Sequence, residues 1–348
     1  MLNVFFTIDV EIWCNGWKDI DARFASSFDR YIHGTTPQGQ FGLPFQMQVM
    51  NDHGLRSVCF VEPLFSARFG QAPLDDIVGL VNAAGHETQL HLHPEWVDEA
   101  RTPLLPGITG KRAGLRNYSL AEQTSLVASG LQMLARAGAP QVNALRAGGF
   151  GFNHDTLAAL AANGVPFDSS YNATLYGPES GVRPGELAWS PFACAGVQEY
   201  PMSVYHDGTR KLRHVQLTAC SFAEMEHLLW QALEAGHGSL VMLSHSFELL
   251  NAGSRDRSDP VTVRRFRKLC AFLDRNRDVF RMCGFQDLEA GDGLTAAAAA
   301  GATAGSAGAA SAAPPADAAP LHQPPLLRSP LWRTGARVAE QAYRRRYG

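Results

Sequence analysis

Short apolar runs alternate with longer amphipathic segments along residues 1–290, and this alternation restricts the possible folds more than any other feature. The runs at 2–8 and 239–245 have the length and character of buried strands. The helical segment 119–138 opens with a capping box formed by Ser119 and Glu122. Strands followed repeatedly by helices indicate an α/β fold with a largely parallel sheet or barrel. We predict strands near 2–8, 56–61, 85–93, 142–147, 165–170, 239–245 and 279–285, and helices near 43–54, 74–85, 119–138, 153–164, 222–236 and 260–275.

The composition changes sharply after this alternating part. Residues 291–328 are rich in Ala, Gly and Pro and contain few bulky apolar side chains, so we predict a disordered linker there. Residues 321–348 contain six arginines and a single acid, Glu340. Residues 329–348 can form a short basic amphipathic helix with Leu331, Val338 and Tyr343 as apolar points. This tail is either a solvated extension or a contact with an anionic membrane surface or a partner protein.

Bulk properties narrow the class of protein. The chain has 348 residues, of which 45% are hydrophobic and 18% charged, so a large core can form. A formal net charge of −3 gives no reason to expect a nucleic-acid partner. The six cysteines include no CxxC pair, which is typical of a reducing compartment. There is no basic leader at the start and no apolar run of about 18 residues, so we expect a cytoplasmic protein, either free or peripheral to the inner face of the membrane.

The stretch "GHETQLHLHPEW", residues 85–96, carries the strongest chemical signal. In a strand, side chains two residues apart lie on the same face, so Gln89, His91 and His93 share one face. Two imidazoles so placed can both reach one divalent ion. His86 falls on the opposite face, and we interpret it as structural.

A second same-face pair ends the first strand. Asp9 and Glu11 lie on one face of "FTIDVEIW", where two adjacent carboxylates would repel each other unless a cation lay between them. Parallel strands bring their carboxyl ends to one rim, where the sites of barrels and open sheets collect. Both pairs end strands, so the sequence predicts a metal site at that rim.

Other predicted strands also end in ionisable residues. Arg146 ends the strand before a glycine-rich turn, Asp168 and Tyr171 follow the next strand, and His245 ends a later one. Each has an ordinary structural explanation when taken alone. Together they indicate a functional rim in a body that carries few charges.

The order of these motifs resembles the polysaccharide deacetylases of the NodB-homology type, carbohydrate esterase family four. The resemblance covers about residues 1–290. Its five motifs are Thr7-Ile8-Asp9-Val10-Glu11, the run from Gly85 to Pro94, Arg146-Ala147-Gly148-Gly149-Phe150-Gly151, Asp168-Ser169-Ser170-Tyr171 and Leu243-Ser244-His245. The resemblance implies a distorted (β/α)7-type barrel with one catalytic divalent metal, zinc before cobalt, nickel or manganese.

The chain departs from the family pattern at two points. The family's paired histidines are four residues apart, whereas His91 and His93 are two apart, so either His93 or Glu95 is the last ligand. We choose His93 because it precedes Pro94 and shares a face with His91. The second acid of the first motif is displaced by one position. We assign metal binding to Glu11 and the base role to Asp9, and the reverse assignment remains open.

The resemblance assigns a catalytic role to the other rim residues. Arg146 would orient Asp9 and keep it ionised, and His245 would protonate the departing amine. Asp168 would fix the charge and tautomer of that histidine. We expect substrate contacts at Trp13, Glu95, Phe150 and Tyr171.

The connection at residues 12–42 is too long for a simple strand–helix loop. It is either a surface excursion that packs on itself or part of a substrate wall. The aromatic and basic residues that would form such a wall are Trp13, Trp17, Arg30 and Tyr31.

These features predict a metal-dependent hydrolase that removes an N-acyl group, N-acetyl first, from an amino sugar. The expected substrate is an intracellular nucleotide-linked or lipid-linked precursor for glycan biosynthesis. One alternative is hydrolysis of a non-sugar amide or a cyclic imide on the same scaffold. Another is a catalytically inactive carbohydrate-binding module.

Overall fold

The computed structural model describes residues 1–253, 256–289 and 320–347. Its strands are β1 Leu2–Val10, β2 Thr35–Thr36, β3 Gly39–Gln40, β4 Val58–Val61, β5 Glu87–Leu92, β6 Ala144–Ala147, β7 Phe167–Asp168, β8 Phe192–Cys194, β9 Val197–Glu199, β10 Val204–His206, β11 Leu212–His214, β12 Ser239–His245, β13 Phe280–Met282 and β14 Leu327–Arg328. Its α-helices are α1 Ile20–Phe28, α2 Leu43–Asn51, α3 Ser66–Phe69, α4 Ala72–Ala83, α5 Leu120–Arg136, α6 His154–Ala162, α7 Phe222–Glu234, α8 Pro260–Arg275 and α9 Leu331–Tyr347.

A curled sheet in the order β12-β1-β4-β5-β6-β7-β9-β8 forms the body of the protein. The strands from β12 to β9 run parallel, β13 adds a parallel pairing to the start of β1, and β8 is antiparallel to β9. Backbone hydrogen bonds from residues 203–217 to β12 bridge the gap between the sheet ends. The predicted distorted (β/α)7-type barrel is therefore confirmed.

The strands are buried on both faces, as parallel strands covered by helices must be. Along β1, Val4, Phe6 and Ile8 point outward into the large core beneath the helices. Phe5 points inward and packs with Phe60 and ten other residues in the barrel interior. Thr7 and Asp9 follow Phe5 on that inner face. The interior is thus apolar at one end and polar at the carboxyl ends of the strands.

The tail returns to the folded body. Residues 291–319 of the predicted linker lie outside the described residues, and residues 320–328, which we also assigned to the linker, are described and contact the folded body. The side chain of Gln323 accepts a hydrogen bond from the backbone of Trp189, and the Pro324 carbonyl accepts one from the indole of the same residue. Strand β14 then pairs with β10, and α9 packs on α7. The composition of this segment did not predict these contacts, because hydrogen bonds of its backbone and of an amide side chain hold it in place rather than apolar packing.

Two further expectations concern the environment of the chain. All six cysteines lie within the described residues, and each is buried and outside any disulfide. None of the helices in the described ranges combines the length and apolar character needed to cross a bilayer.

Candidate metal centre and catalytic rim

The carboxyl end of β1 carries a buried ion pair. Nη1 of Arg146 donates to Oδ1 of Asp9 at 2.8 Å, and neither side chain is more than slightly exposed. The guanidinium also donates to the hydroxyls of Thr7 and Ser169, and it lies 4.4 Å from the centre of the Phe60 ring. Three neighbouring elements therefore fix Arg146 in place. Asp9 has a permanent counter-charge, because an arginine stays protonated even when buried.

Three side chains converge beside this pair. Oε2 of Glu11 lies 2.6 Å from Nε2 of His93 and 3.5 Å from Nε2 of His91. One ligand atom from each residue lies within 4.8 Å of the other two. Nδ1 of His91 contacts the carbonyl oxygen of Arg146 at 2.7 Å, which places the proton on Nδ1 and leaves the Nε2 lone pair free.

The donor atoms of this cluster fit a cation. Nε2 of His91 and both ring nitrogens of His93 are buried, and their contacts with Glu11 and Glu95 lack hydrogen-bonding geometry within the described part of the chain. Buried polar atoms that lack well-formed hydrogen bonds are costly. Two imidazoles and one carboxylate are a donor set that catalytic zinc sites use. Glu11, His91 and His93 would therefore hold a divalent ion.

The charges of the cluster agree with this fit. Burial opposes ionisation of Glu11, but the adjacent His93 and His91 hold the pKa of that carboxyl well below its usual range. Burial also opposes the charge on His93, but Glu11 and Glu95 hold the pKa of that imidazole well above its usual value. The two carboxylates therefore favour a positive charge on His93. A metal cation bound to this ring can supply that charge in place of the proton.

Two neighbours hold His93 in position. Oε2 of Glu95 lies 3.4 Å from Nδ1 of His93, on the side of the ring away from Glu11. Gly148 lies against the ring, because a Cβ at that position would come within 2.5 Å of Nδ1. His93, and not Glu95, therefore completes the cluster, and Glu95 orients it. The glycine-rich turn after Arg146 was a visible signal for this close contact.

His245 lies at the end of β12, the strand that pairs with β1, and its Cα is in register with that of Asp9. Its Nδ1 contacts Oε1 of Glu248 at 3.0 Å. Burial acts against the charged imidazole, but Glu248, Glu11 and Asp9 together raise the pKa of His245 to about 9. His245 is therefore a protonated acid near neutral pH.

The prediction that Asp168 fixes His245 is wrong. Asp168 accepts hydrogen bonds from the backbone N–H and the hydroxyl of Ser170, and it lies in register with Glu199 on the neighbouring strand β9. Burial and the adjacent Asp168 carboxylate raise the pKa of Glu199 well above its usual value. Glu199 therefore favours its neutral form beside Asp168. The partner of His245 comes instead from Glu248, three residues further along its own chain segment.

The aromatic residues that we predicted to contact substrate differ in exposure. Trp13 is partly exposed and its ring packs edge-on against His93, with the centroids 4.7 Å apart. Phe150 is 8% exposed, with its ring centroid 6.3 Å from that of His214. Tyr171 is fully buried, and its hydroxyl bonds to the backbone of Glu186 and Ala188, so the prediction that it contacts substrate is wrong.

The long connection at residues 12–42 reaches the rim at two points. Trp17 packs against Trp13 and Trp96 beside the metal centre. Tyr31 is buried against Phe247, the second residue after His245. Arg30 is half-buried. The connection therefore packs on itself and also borders the site at Trp13 and Trp17.

His86 has the structural role that we predicted for it. Its Nδ1 lies 2.8 Å from the hydroxyl of Ser57 and accepts a bond from the backbone N–H of the same residue. Burial lowers the pKa of His86 to about 4, so the ring is neutral and holds β4 to the start of β5.

No protein-family model matches the sequence, and no curated protein matches it significantly. Among solved structures, the chain is similar to a protein from Mycobacterium smegmatis described as a polysaccharide deacetylase, with 18% identity, a TM-score of 0.50, and coverage of 82% of this chain and 88% of the other. It is also similar to a family 4 carbohydrate esterase from Streptomyces lividans, solved with acetate, with 12% identity, a TM-score of 0.40, and coverage of 81% of this chain and 92% of the other. A third match is a pseudoenzyme of the same family from Bacillus anthracis, with 10% identity, a TM-score of 0.36, and coverage of 78% of this chain and 60% of the other.

Of these three similarities, only the first reaches a TM-score of 0.5. At 18% identity it establishes the architecture and leaves the activity to the residues of the rim. The comparison and the strand order agree. The chain has the polysaccharide deacetylase fold.

Proposed function

We propose that this protein is a metal-dependent hydrolase that removes an N-acyl group from an amino sugar. The observation that supports this most strongly is the meeting of three devices at one rim. These are a metal-ligand cluster (Glu11, His91 and His93), a buried base with its counter-charge (Asp9 and Arg146), and a charged acid with its partner (His245 and Glu248). Metal-assisted amide hydrolysis uses all three: an ion, a base and an acid. Structural ion pairs need none of them to converge.

The first proton transfer belongs to Asp9. A divalent ion, when bound, supplies Lewis acidity that polarises an acyl carbonyl and makes water acidic near neutral pH. Asp9 takes the proton from the attacking water, and Arg146 holds the carboxylate in place through the 2.8 Å contact. Glu11 lies on the same face of the chain and holds the ion, so the two acids divide the work.

The second proton transfer belongs to His245. The C–N bond breaks only if the nitrogen leaves as a neutral amine, so it must receive a proton as the acyl carbon collapses to the carboxylic acid. His245 is charged near neutral pH because Glu248 stabilises the imidazolium, and it lies on the strand next to Asp9. Base and acid therefore approach the amide from adjacent strands.

The substrate class follows from the aromatic side of the rim. Trp13 presents a partly exposed ring next to His93, and such faces suit the apolar face of a pyranose. The acyl group is proposed to be acetyl and the metal zinc, with cobalt, nickel or manganese as substitutes. We place the reaction in the cytoplasm, on a nucleotide-linked or lipid-linked saccharide precursor of a glycan.

The test combines metal analysis with product release. The purified chain is assayed for bound metal and then, after chelation and re-addition of zinc, for acetate or formate release from N-acyl amino sugars, simple amides and cyclic imides. Activity should require zinc and should select the amino sugars. Release from amides or imides alone would replace the proposal with the non-sugar hydrolase. Stoichiometric metal with sugar binding and no release would identify an inactive module.

Two variants separate the roles of the residues. Asp9→Asn should keep the metal and lose at least about a hundredfold in turnover, because only the base is removed. His91→Ala should lose the metal itself. The matched control is His154→Ala, an exposed histidine at the start of α6 that should change neither. Near-normal turnover in Asp9→Asn would contradict the assignment of the base.

A further inference from the structure

Helix α9 has an unusual distribution of polarity: its apolar side faces outward. Leu331 and Trp332 are 64% and 65% exposed, and Val338 and Tyr343 are each 55% exposed. The small residues between them are also on the exposed side: Gly335, Ala336, Ala339 and Ala342. We call these eight residues the apolar face of α9. An amphipathic helix at a protein surface normally shows the opposite arrangement, with its apolar stripe against the core.

Ion pairs fix this orientation from the inner side. Arg337 is 1% exposed and reaches Asp207 at 3.2 Å and Glu224 at 3.3 Å. Further along the helix, Arg344 pairs with Asp259 at 2.5 Å. Rotating α9 to bury its apolar face would separate these charges and take away the cation that Glu224, a fully buried carboxylate, pairs with, which is strongly unfavourable. The exposed apolar face is therefore a built feature of the fold.

Cations lie at the start of the apolar face. At the start of α9, Arg210 and Lys211 in the β10–β11 turn and Arg328 in β14 are exposed, and their side chains form no ion pair with any described residue. The turn touches the helix directly, because a Cβ on Gly208 would lie 2.3 Å from Cα of Leu331. A cavity of about 720 Å³ opens there, with Arg210, Arg328 and Leu331 in its lining.

We propose that the apolar face of α9, together with these cations, docks on an anionic lipid bilayer. Tryptophan and tyrosine favour the membrane–water interface, and apolar side chains flanked by arginine bind anionic lipid through burial and charge together. A second copy of the chain fits less well. The apolar face of a second α9 carries no anion that could pair with Arg210, Lys211 and Arg328, and the one acid of the helix, Glu340, is already paired with Arg265. A bilayer with anionic headgroups complements these cations.

The same hairpin links this surface to the catalytic rim. The turn that touches α9 is the tip of β10–β11, and His214 at the base of β11 bonds to Gln216, which bonds to the partner of His245, Glu248. The three residues of β11, Leu212–His214, lead from this turn to His214. Docking through α9 would therefore bring the catalytic rim close to the lipid headgroups.

The experiment is flotation of the full chain with vesicles of phosphatidylcholine alone and of phosphatidylcholine mixed with phosphatidylglycerol. The protein should float with the anionic vesicles, and added salt should weaken the binding because the cations are exposed. Trp332→Ser should weaken binding by about tenfold or more. The double charge reversal Arg210→Glu with Arg328→Glu should abolish the preference for anionic lipid. Activity on a soluble substrate should not change in any of these variants.

The matched control is Leu120→Ser, another exposed large apolar residue, at the start of α5 and 43% exposed. It should bind like the wild type. Equal flotation with both kinds of vesicle, or none with either, would overturn the proposal, as would wild-type binding by Trp332→Ser. Light scattering on the same samples gives a further test: a dimer that Val338→Asp converts to a monomer would assign the apolar face to a second copy instead.

Discussion

Replacing Glu248 by glutamine tests the acid of the proposed reaction most directly. The change keeps the shape of the side chain and removes its charge, 3.0 Å from Nδ1 of His245. The carboxylate is the largest of the influences that raise the pKa of His245 to about 9 from the usual 6.5. Its loss should return the pKa of that imidazole most of the way to its usual value, with Glu11 and Asp9 as the remaining anions.

The size of the effect depends on pH. At pH 8 an imidazole with a pKa of about 9 is about nine-tenths protonated, whereas one with a pKa of about 6.5 is only about 3% protonated. A reaction that needs the imidazolium should therefore lose up to about thirtyfold in rate at pH 8 and very little at pH 6. In the wild type, kcat/KM should fall as the pH rises through about 9, and in Glu248→Gln this fall should occur well below that pH.

The assay is the pH dependence of kcat/KM for the wild type, Glu248→Gln and the control Thr218→Val. Thr218 donates a hydrogen bond to the same carboxylate oxygen at 3.2 Å, so its removal disturbs the neighbourhood without removing the charge. The control should keep the alkaline limb near that of the wild type. An alkaline limb that stays in place in Glu248→Gln would show that this carboxylate does not hold the proton on His245.

Two further predictions test the support of the metal centre and of the tail. Gly148→Ala should weaken zinc binding by about tenfold or more, because the new Cβ displaces the His93 ring. Competition with a chelator measures the affinity. The control Gly79→Ala, with no atom within 4 Å of the added Cβ, should leave the affinity unchanged. Arg337→Met should lower the free energy of unfolding by about 3 kcal/mol, because the buried Glu224 loses its ion-pair partner, while Asp207 keeps its pair with Arg213. Urea denaturation measures this, and a loss below about 1 kcal/mol would contradict the role of the ion pairs in orienting α9.

Local rules were sufficient to predict the main features of the rim. The alternation of side chains along a strand placed Asp9 with Glu11 and His91 with His93, and the parallel topology brought both pairs to one end of the sheet. The capping box of Ser119 and Glu122 likewise located the start of α5 to the residue. These features depend on neighbours in sequence or on the direction of a strand, and both can be predicted from the sequence alone.

The errors at the rim concern contacts between distant segments. Asp168 and Tyr171 lie at or just after a strand that ends at the rim. However, Asp168 lies beside Glu199 of β9, and the hydroxyl of Tyr171 donates to the backbone carbonyl of Glu186. Nothing near Asp168 in the sequence shows that a second acid will lie against it. Glu248 was within reach of sequence reasoning, since an acid three residues after a histidine can return to it across a turn.

The spacing of the two histidines shows how the same site can be reached by a different local route. His91 lies within β5, whereas His93 comes after the strand ends at Leu92 and directly before a 3-10 turn that opens with Pro94. Only one residue separates the two histidines, and the ring of His93 lies between Gly148 and the carboxylate of Glu11. Gly148 leaves the space for that ring. The short spacing and the glycine after the buried arginine are therefore parts of one arrangement, and a chain with this spacing but a larger residue at that position should not assemble the three-ligand cluster.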